Sequence, residues 1–270
     1  MNLDKLTVEA IWFRKEIFNL VINAKKGHIP SCFSIAEFLV YIFFNQKINL
    51  NSKNITNPNR DRMIISKGHA AMALYPIFCR LGLIPERELL NFCGKDALLK
   101  LYADPSIPGI DTVTGSLGNG YGIAAGIGLD LKRKNSSSKI FSIVGDGECY
   151  EGSIWESAMF IGHHKLTNLI TIIDRNKLCI MGETEDCISI EPLDKKWEAF
   201  GFTVFRIDGH DFSQIDYVFK SMNDEKPVCI ILDTIKGKGI SYMENKPLWH
   251  NRIPDGEFLK IAKNELGINE

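Results

Sequence analysis

The stretch IVGDGECYEG (residues 143–152) ends an apolar run at two glycines that enclose a single carboxylate, Asp146. An apolar run as short as this one predicts a buried β-strand. A second apolar run, residues 169–173, is followed within three residues by the polar side chain of Asn176. Because the carboxyl ends of parallel strands meet at one edge of a sheet, we expect Asp146 and Asn176 to share a site.

Strands and helices alternate through the second half of the chain. Strands that are separated by helices form parallel crossovers. The sequence therefore predicts an α/β fold, with a doubly wound, mostly parallel sheet and helices on both faces. In such a sheet, ligands bind at the carboxyl ends of the strands. The predicted strands are residues 63–66, 140–144, 169–173, 202–207 and 228–233, and the predicted helices are residues 6–20, 34–44, 70–81, 85–92, 118–131, 151–164, 193–200 and 212–222.

Length and composition are those of an ordinary globular protein. The chain has 270 residues, of which 45% are hydrophobic and 24% are charged. At this length we predict one large domain. The formal net charge is −1, so there is no excess of basic residues to bind a nucleic-acid backbone or an anionic membrane surface. We therefore predict partners other than nucleic acids and membranes.

The cysteines indicate the cellular compartment. There are seven, they are scattered, and no two form a Cys-x-x-Cys pair. Such a set argues against a disulfide framework and against a zinc cluster, and it favours a reducing cytoplasm. The N-terminal segment, residues 3–24, carries charges throughout, unlike a signal peptide. The apolar run at residues 38–44 is too short to span a bilayer.

Oxygen atoms at the predicted strand ends suit a hard divalent cation. Gly145 and Gly147 leave room for a ligand near Asp146, and the amide oxygen of Asn176 adds a second hard ligand. Magnesium keeps some waters and accepts phosphate oxygens, so these groups and one backbone carbonyl suit a metal-bridged diphosphate. A plain turn at Gly-Asp-Gly and a helix cap at Asn176 are the alternative. The 28 residues between Gly147 and Asn176, the length of one strand–helix–strand unit, favour the shared site.

The motifs around these strand ends resemble a known family. The segment from GDGECYEG to IIDRNKL resembles the GDG-to-Asn fingerprint of thiamine diphosphate enzymes, and its neighbours are similar, in order, to the diphosphate-binding half of transketolase. The resemblance covers nearly the whole chain and implies a single thiamine diphosphate-binding domain of the diphosphate-binding (PP) type over residues 1–270. It also implies thiamine diphosphate with Mg²⁺, or with Ca²⁺ or Mn²⁺ in its place. The neighbouring motifs are DRMIISKGHAAMALY (61–75), PGIDTVTGSLGNGYGIAAGIGL (108–129), GHHKLTNL (162–169), DGHD (208–211), KGKGISYMEN (236–245) and WH (249–250).

The resemblance implies cofactor-binding roles for individual residues. Asp146, Asn176 and the backbone carbonyl of Leu178 match the residues that hold the metal. The segment 145–148 matches the one that lies against the diphosphate, and the segment 115–117 matches a TGPLG motif that lies against the cofactor's rings. The implied cofactor-binding residues are Gly115, Ser116, Leu117, Gly145, Asp146, Gly147, Glu148, Asn176, His69 and His250.

Three histidines and a glutamate are the implied catalytic residues. His28, His69 and His250 match family histidines that contact cofactor phosphate or donor hydroxyls, and Glu151 matches a carboxylate near the subunit interface. The implied reaction moves hydroxyl protons at each stage, and an imidazole that titrates near neutral pH can act as acid and as base. The other three histidines are expected to be helix caps or satisfied core residues. These are His163, His164 and His210.

Two segments depart from the family pattern near the implied substrate site. Asp104 stands where family members usually have a histidine, and an ionised carboxylate only accepts hydrogen bonds and repels anions. Near His28, Pro30 and Ser31 replace glycines and stiffen the loop. We predict Asp104 and His28 as substrate contacts, and the departures favour a specialised donor over ordinary sugar-phosphate transketolation.

The resemblance implies half of an enzyme. Nothing in this chain resembles the pyrimidine-binding half of transketolase, so the implied function is that of the N-terminal subunit of a split transketolase. Such a subunit transfers a two-carbon ketol unit from a ketose, expected to be a phosphate or a related activated sugar, to an aldose. It is active only with a separately encoded C-terminal subunit, and we predict a tetramer of two copies of each.

Two alternatives to a transketolase subunit stay open. One is the alpha chain of a 2-oxo acid dehydrogenase, which shares the GDG element but would not be expected to carry SKGHA (66–70) or TGSLG (114–118). The other is a non-catalytic module that binds the cofactor as a scaffold or regulator, for which Asp104 is the supporting feature.

Overall fold

The computed structural model describes residues 3–268, and a five-stranded sheet lies at its centre. The strands are β1 (Arg62–Ile65), β2 (Ile140–Gly145), β3 (Leu169–Arg175), β4 (Thr203–Asp208) and β5 (Val228–Asp233). They lie side by side in the order β1-β2-β3-β5-β4, and every neighbouring pair is parallel. The carboxyl ends of the strands therefore meet at one edge.

Helices connect the strands and cover the sheet. The first helix buries one face, because its apolar residues recur at spacings of three and four. The α-helices are α1 (Leu3–Ala24), α2 (Ile29–Phe33), α3 (Ala36–Phe44), α4 (Leu74–Arg80), α5 (Arg87–Leu90), α6 (Asn119–Arg133), α7 (Gly152–His163), α8 (Thr184–Cys187), α9 (Leu193–Ala199), α10 (Phe212–Ser221) and α11 (Gly256–Leu266). The 3-10 helices are Gly68–Ala73, Gly147–Tyr150 and Pro247–Trp249.

Two hydrophobic cores, one on each face of the sheet, account for the doubly wound arrangement. Successive residues of a strand point to opposite faces. Along β3, Ile170 and Ile172 pack into one core, while Leu169 and Ile173 pack into the other. Helices α1 to α4, α10 and α11 fill the first core, and α6, α7 and α9 fill the second. The predicted α/β fold class is confirmed.

Tertiary packing alters three helices in the first third of the chain. The helix predicted over residues 34–44 is preceded by the separate short helix α2, and the helix predicted over 85–92 is the single turn α5. The helix predicted over 70–81 starts as a 3-10 helix at Gly68. A Cβ atom at Gly68 would lie 1.8 Å from the carbonyl oxygen of Thr114. The loop that carries Thr114 therefore packs directly against the start of this 3-10 helix. Such a contact between distant segments leaves no trace in the periodicity of the sequence.

The C-terminal helix α11 was not predicted from the sequence. It packs against the first core through Leu259, Ala262 and Leu266, which recur at spacings of three and four, so its signal was present in the sequence. The prediction of one domain over residues 1–270 includes residues 1, 2, 269 and 270, which lie outside the described residues, and it stays a prediction. Within residues 3–268, no helix combines the length and apolar character needed to cross a membrane.

Candidate functional site

Four strand ends converge on one cavity. Lys67 follows β1, Asp146 follows β2, Asn176 follows β3 and Lys236 follows β5, and all four residues are buried. They line a cavity of about 330 Å³. The structure thus brings Asp146 and Asn176 together, as their positions in the sequence predict. The other wall residues are Ser31, His69, Leu117, Gly145, Gly147, Glu148, Tyr150, Glu151, Leu178, Cys179, Ile180, Met181 and His250.

Three donors hold the carboxylate of Asp146. Its Oδ1 accepts the backbone N–H of Gly147 (2.8 Å). Its Oδ2 accepts the backbone N–H of Lys177 (2.6 Å) and the guanidinium Nη1 of Arg175 (3.0 Å). Burial raises the pKa of Asp146 to about 6, assisted by the charge of Asp174 and opposed by that of Arg175. These contacts orient a hard oxygen ligand in the cavity wall.

The amide of Asn176 and the carbonyl of Leu178 present two further oxygens. Asn176 Nδ2 donates to the carboxylate of Asp174 (2.9 Å), and its Oδ1 accepts the backbone N–H of Leu178 (3.1 Å). The Leu178 carbonyl accepts a hydrogen bond from the ammonium of Lys236 (3.2 Å). The ammonium group of Lys236 is therefore hydrogen-bonded to one of the three predicted metal ligands.

These oxygens fit a hard divalent cation. A carboxylate, an amide oxygen and a backbone carbonyl are ligands that Mg²⁺ accepts, with phosphate and water oxygens to complete its shell. Among residues 3–268, no three His, Cys, Asp or Glu side chains are grouped to hold a metal ion by themselves. A cation at Asp146 would therefore depend on Asn176, Leu178 and oxygens of its ligand, as a metal-bridged diphosphate does.

Two buried lysines lie in the cavity wall, and one of them is paired with a carboxylate. The ammonium of Lys67 donates to the carboxylate of Asp174 (2.6 Å) and to the carbonyl of Ser31 (2.9 Å). Burial lowers the pKa of Lys236. Neither lysine was predicted as a site residue from the sequence. Their signal was available, because each lies beside a glycine within three residues of a strand end.

Three histidines from distant parts of the chain meet at this cavity. The ring centroids of His28, His69 and His250 lie 5.3–5.4 Å apart in every pair. His69 and His250 line the cavity, and His28 joins it through its contacts with the other two rings. Within residues 3–268, the buried Nδ1 atoms of His28 and His250 have no hydrogen-bond partner. The structure thus groups the three predicted histidines and leaves polar atoms for a ligand.

Burial keeps the three imidazoles neutral at pH 7. It lowers the pKa of His28 and that of His250, the latter to about 3, and the nearby charge of Lys236 adds to both effects. Burial and the charge of Lys67 lower the pKa of His69 well below its ordinary value. A neutral imidazole carries one donor and one acceptor nitrogen. The cluster can therefore exchange protons with a hydroxyl group.

The two predicted glutamates occupy different places. Glu148 is buried, and its carboxylate accepts the hydroxyl of Ser66 (2.6 Å) and the backbone N–H groups of Gly118 (2.9 Å) and Gly145 (3.0 Å). It therefore joins three loops of the wall, and its role as a direct cofactor ligand stays a prediction. Glu151 is exposed and lines the cavity.

The remaining predicted site residues lie toward or beyond the rim. The segment 115–117 is exposed, and Leu117 is its member that lines the cavity. Asp104 is not among the wall residues of the described chain. Its carboxylate pairs with Lys100 (2.5 Å) and accepts the hydroxyl of Ser106, and these contacts lower the pKa of Asp104 to about 2. A substrate contact through Asp104 stays a prediction.

The other histidines lie outside this cavity. His163 ends α7 and His164 follows as its C-terminal cap residue. The Nε2 atom of His210 accepts the backbone N–H of Ile235 (2.9 Å), so its Nδ1 carries the proton and donates to Glu37 (2.8 Å). His164 agrees with the expectation of a helix cap and His210 with that of a satisfied histidine, whereas His163 is exposed.

Known proteins are similar to this chain in sequence and in fold. The family model described as "Transketolase, thiamine diphosphate binding domain" matches residues 4–270. An apulose-4-phosphate transketolase subunit of Actinobacillus succinogenes is 38% identical over 273 residues, which cover 98% of this chain and 97% of that protein. The 6-deoxy-6-sulfo-D-fructose transketolase subunit of Clostridium sp. (strain MSTE9) is 39% identical over 243 residues, which cover 89% of this chain and 88% of that protein.

A solved structure shows the same fold within a longer chain. The crystal structure of transketolase from Campylobacter jejuni matches with a TM-score of 0.91 and 30% sequence identity. The match covers 100% of this chain and 44% of that chain. This chain therefore spans less than half the length of that transketolase.

Proposed function

Because the chain belongs to the transketolase family, as its thiamine diphosphate-binding domain, we propose that it is the N-terminal subunit of a split transketolase. The observation that carries this proposal is the cavity at the strand ends. It combines the oxygens of Asp146, Asn176 and Leu178 with a cluster of neutral histidines. The family match also favours a transketolase subunit over the alpha chain of a 2-oxo acid dehydrogenase.

Thiamine diphosphate and a divalent cation are the proposed cofactors. Asp146, Asn176 and the Leu178 carbonyl would hold Mg²⁺, or Ca²⁺ or Mn²⁺, and the buried charge of Lys236 would attract the diphosphate. Bound thiamine diphosphate supplies the carbon nucleophile that allows a carbon–carbon bond of a sugar to be broken and remade. The set of oxygen ligands and the lysine beside it support this assignment.

The histidine cluster would bind the hydroxyl groups of the ketose and move their protons. His28, His69 and His250 each carry an acceptor nitrogen, because burial keeps the rings neutral. The buried Nδ1 atoms of His28 and His250 gain a partner when a hydroxyl group binds. An acceptor nitrogen takes a hydroxyl proton as the donor is cleaved and returns it when the acceptor aldose reacts.

An anionic ketose is the proposed donor. The relative from Actinobacillus succinogenes is named for a sugar phosphate, and the one from Clostridium sp. for a sulfo sugar. Both groups are anionic, and the buried Lys236 of this cavity provides positive charge near the strand ends. We propose a donor of this class, with a two-carbon ketol unit as the transferred group and an aldose as the acceptor.

A C-terminal subunit with the pyrimidine-binding domain is the proposed partner, in a tetramer of two copies of each chain. This chain covers 44% of the Campylobacter jejuni transketolase, and its relatives are named subunits. Ile180 and Met181 line the cavity, although they are 63% and 77% exposed. Apolar side chains that are this exposed are consistent with a surface that a partner covers. We propose a cytoplasmic location, with which the seven free cysteines agree.

Calorimetric titration of thiamine diphosphate, with and without Mg²⁺, tests the cofactor site in the chain assembled with its partner. We expect Mg²⁺-dependent binding that weakens roughly 100-fold in Asp146→Ala, because a charge-assisted contact contributes about 3 kcal/mol. Asp224→Ala is the control, since the side chain of Asp224 is 75% exposed and lies outside the cavity. Equal binding by both variants would contradict the proposed site.

Transfer of a ketol unit tests the activity. The assembled pair should convert a ketose phosphate and an aldose into new sugars, and this chain alone should convert neither. Cofactor binding by the pair without any transfer, over a panel of phosphorylated and sulfonated ketoses, would instead support the non-catalytic alternative.

A further inference from the structure

The carboxylate of Asp174 receives hydrogen bonds from four segments around the cavity. Its side chain is fully buried. Its Oδ2 accepts the ammonium of Lys67 (2.6 Å), the hydroxyl of Ser34 (2.7 Å) and Nδ2 of Asn176 (2.9 Å). Its Oδ1 accepts the hydroxyl of Thr234 (2.5 Å). This carboxylate has no part in the function proposed above, although it touches two residues of the cavity wall.

Asp174 cancels the positive charge of Lys67. The two side chains are 0% and 2% exposed, so water does not screen their charges. A buried lysine without its carboxylate would repel a divalent cation that shares the cavity. With both groups ionised the pair is neutral. A cation can then bind the carboxylate of Asp146 without repulsion from Lys67.

Asp174 also determines which atom of Asn176 faces the cavity. An ionised carboxylate only accepts hydrogen bonds, so the amide atom that faces Asp174 must be the donor Nδ2. Oδ1 then turns away from Asp174, toward the backbone N–H of Leu178 on the cavity wall. An amide turned the other way would present an NH₂ group to the cation instead of a ligand oxygen.

We propose that Asp174 is a positioning residue for the metal–diphosphate site, which it prepares by orienting the Asn176 amide and neutralising Lys67. The inference rests on the proposed function, because it concerns the same cation. It has a signature that a purely structural role lacks. Loss of the Asp174 charge should weaken cation binding, while the uncompensated Lys67 should bind a metal-free diphosphate as tightly as before or more tightly.

The test is Asp174→Asn in the chain assembled with its partner, with two probes. Mn²⁺, followed by electron paramagnetic resonance in the presence of thiamine diphosphate, reports the cation site, and inorganic pyrophosphate with a chelator reports the metal-free anion site. We expect a fall in Mn²⁺ affinity of about 10–100-fold, as for other groups that orient metal ligands. Pyrophosphate affinity should be unchanged or increased.

Thr234→Val is the matched control. It removes a donor to the same carboxylate without changing its charge or the contact to Asn176. Its Mn²⁺ affinity should change far less than that of Asp174→Asn, because the carboxylate keeps its charge and its contact to Asn176.

A double variant removes the carboxylate without leaving a buried lysine unpaired. Lys67→Met/Asp174→Asn keeps the pair neutral, so it serves if Asp174→Asn alone does not fold. Compared with Lys67→Met, the double variant should bind Mn²⁺ about tenfold more weakly. Unchanged Mn²⁺ affinity on loss of Asp174, or a parallel loss of Mn²⁺ and pyrophosphate affinity, would overturn the inference alone. No Mn²⁺ binding by the unmodified protein would overturn the proposed cofactor site with it.

Discussion

At the scale of single residues, Glu37 links the first helices to the segment that carries Lys236. Its carboxylate accepts hydrogen bonds from Arg14 (2.9 Å) and from His210 (2.8 Å), and His210 in turn accepts the backbone N–H of Ile235 (2.9 Å). Burial opposes ionisation of Glu37, but these two partners outweigh it and lower the pKa of Glu37 to about 2. The charged form of Glu37 is therefore part of the folded state.

The free energy of unfolding should depend on pH through Glu37. Its pKa is lower in the folded chain than the ordinary value of 4.5. The stabilisation is therefore fully present above pH 4.5 and is lost as the pH falls toward 2. The free energy of unfolding should fall by about 3 kcal/mol over this range, because each pKa unit corresponds to about 1.4 kcal/mol. Urea unfolding between pH 7 and pH 2 measures this loss.

Two variants isolate the contribution of Glu37. Glu37→Gln should be less stable than the unmodified chain at pH 7, and its stability should fall less steeply with acid. Glu257→Gln is the control, because the side chain of Glu257 is 79% exposed, and its profile should run parallel to that of the unmodified chain. If Glu37→Gln also runs parallel, the stabilisation does not come from this carboxylate.

At the scale of elements, helix α6 brings a glycine face against two loops of the site. A Cβ atom at Gly120 would lie 2.8 Å from the side chain of Thr114 and 2.9 Å from the backbone of Ser66. Ser66 donates its hydroxyl to Glu148, which also accepts the backbone N–H of Gly118. The glycine thus lets the start of α6 approach the loop after β1, and the approach keeps Glu148 between them.

Two alanine substitutions within α6 should have opposite effects on stability. Gly120→Ala should destabilise the chain by about 1–3 kcal/mol, because the new methyl group overlaps backbone and side-chain atoms. Gly126→Ala should stabilise it by about 0.5–1 kcal/mol, because no atom beyond the neighbouring helix backbone lies within 4 Å of the new group and alanine favours the helix. Urea unfolding of the isolated chain measures both changes. Destabilisation by both substitutions would show that α6 is sensitive to any side chain, and the packing explanation would fail.

At the scale of the whole molecule, the cavity opens through exposed apolar side chains. Three apolar residues line the cavity although their side chains are 37%, 63% and 77% exposed: Leu117, Ile180 and Met181. Exposed apolar surface beside a ligand site suits a region that another subunit covers. The proposed C-terminal partner is the occupant that the lengths of the relatives support.

Substitution at this rim should weaken assembly while the fold is retained. Met181→Glu should reduce association with the C-terminal partner at least tenfold, since a charge that replaces an apolar contact in an interface costs about 2 kcal/mol or more. Leu90→Glu is the control, because Leu90 is 81% exposed on α5 and lies outside the cavity wall. Sedimentation of the mixed chains measures association, and circular dichroism checks the fold. Equal association of the two variants would exclude this rim from the interface.

The sheet and half of the site were predictable because their signals are local. Apolar runs that end at Gly145 and near Asn176 define strands and their carboxyl ends, and parallel strands place those ends together. The bounds of the short helices after Gly68 were not predictable, since a contact with Thr114 influences them. Lys67 and Lys236 were missed for a related reason. A lysine in a loop is usually solvated, and only the packed structure buries these two.

The sequence by itself determined the α/β class, the family and the residue types available at the strand ends, because periodicity and motif order are properties of the chain. The tertiary structure alone decided how those residues act on one another. It grouped three histidines separated by up to 222 residues along the chain, and it oriented Asn176 through Asp174. The physical reason is that pKa shifts and hydrogen-bond direction depend on burial and on partners distant in sequence. A one-dimensional pattern does not contain these quantities.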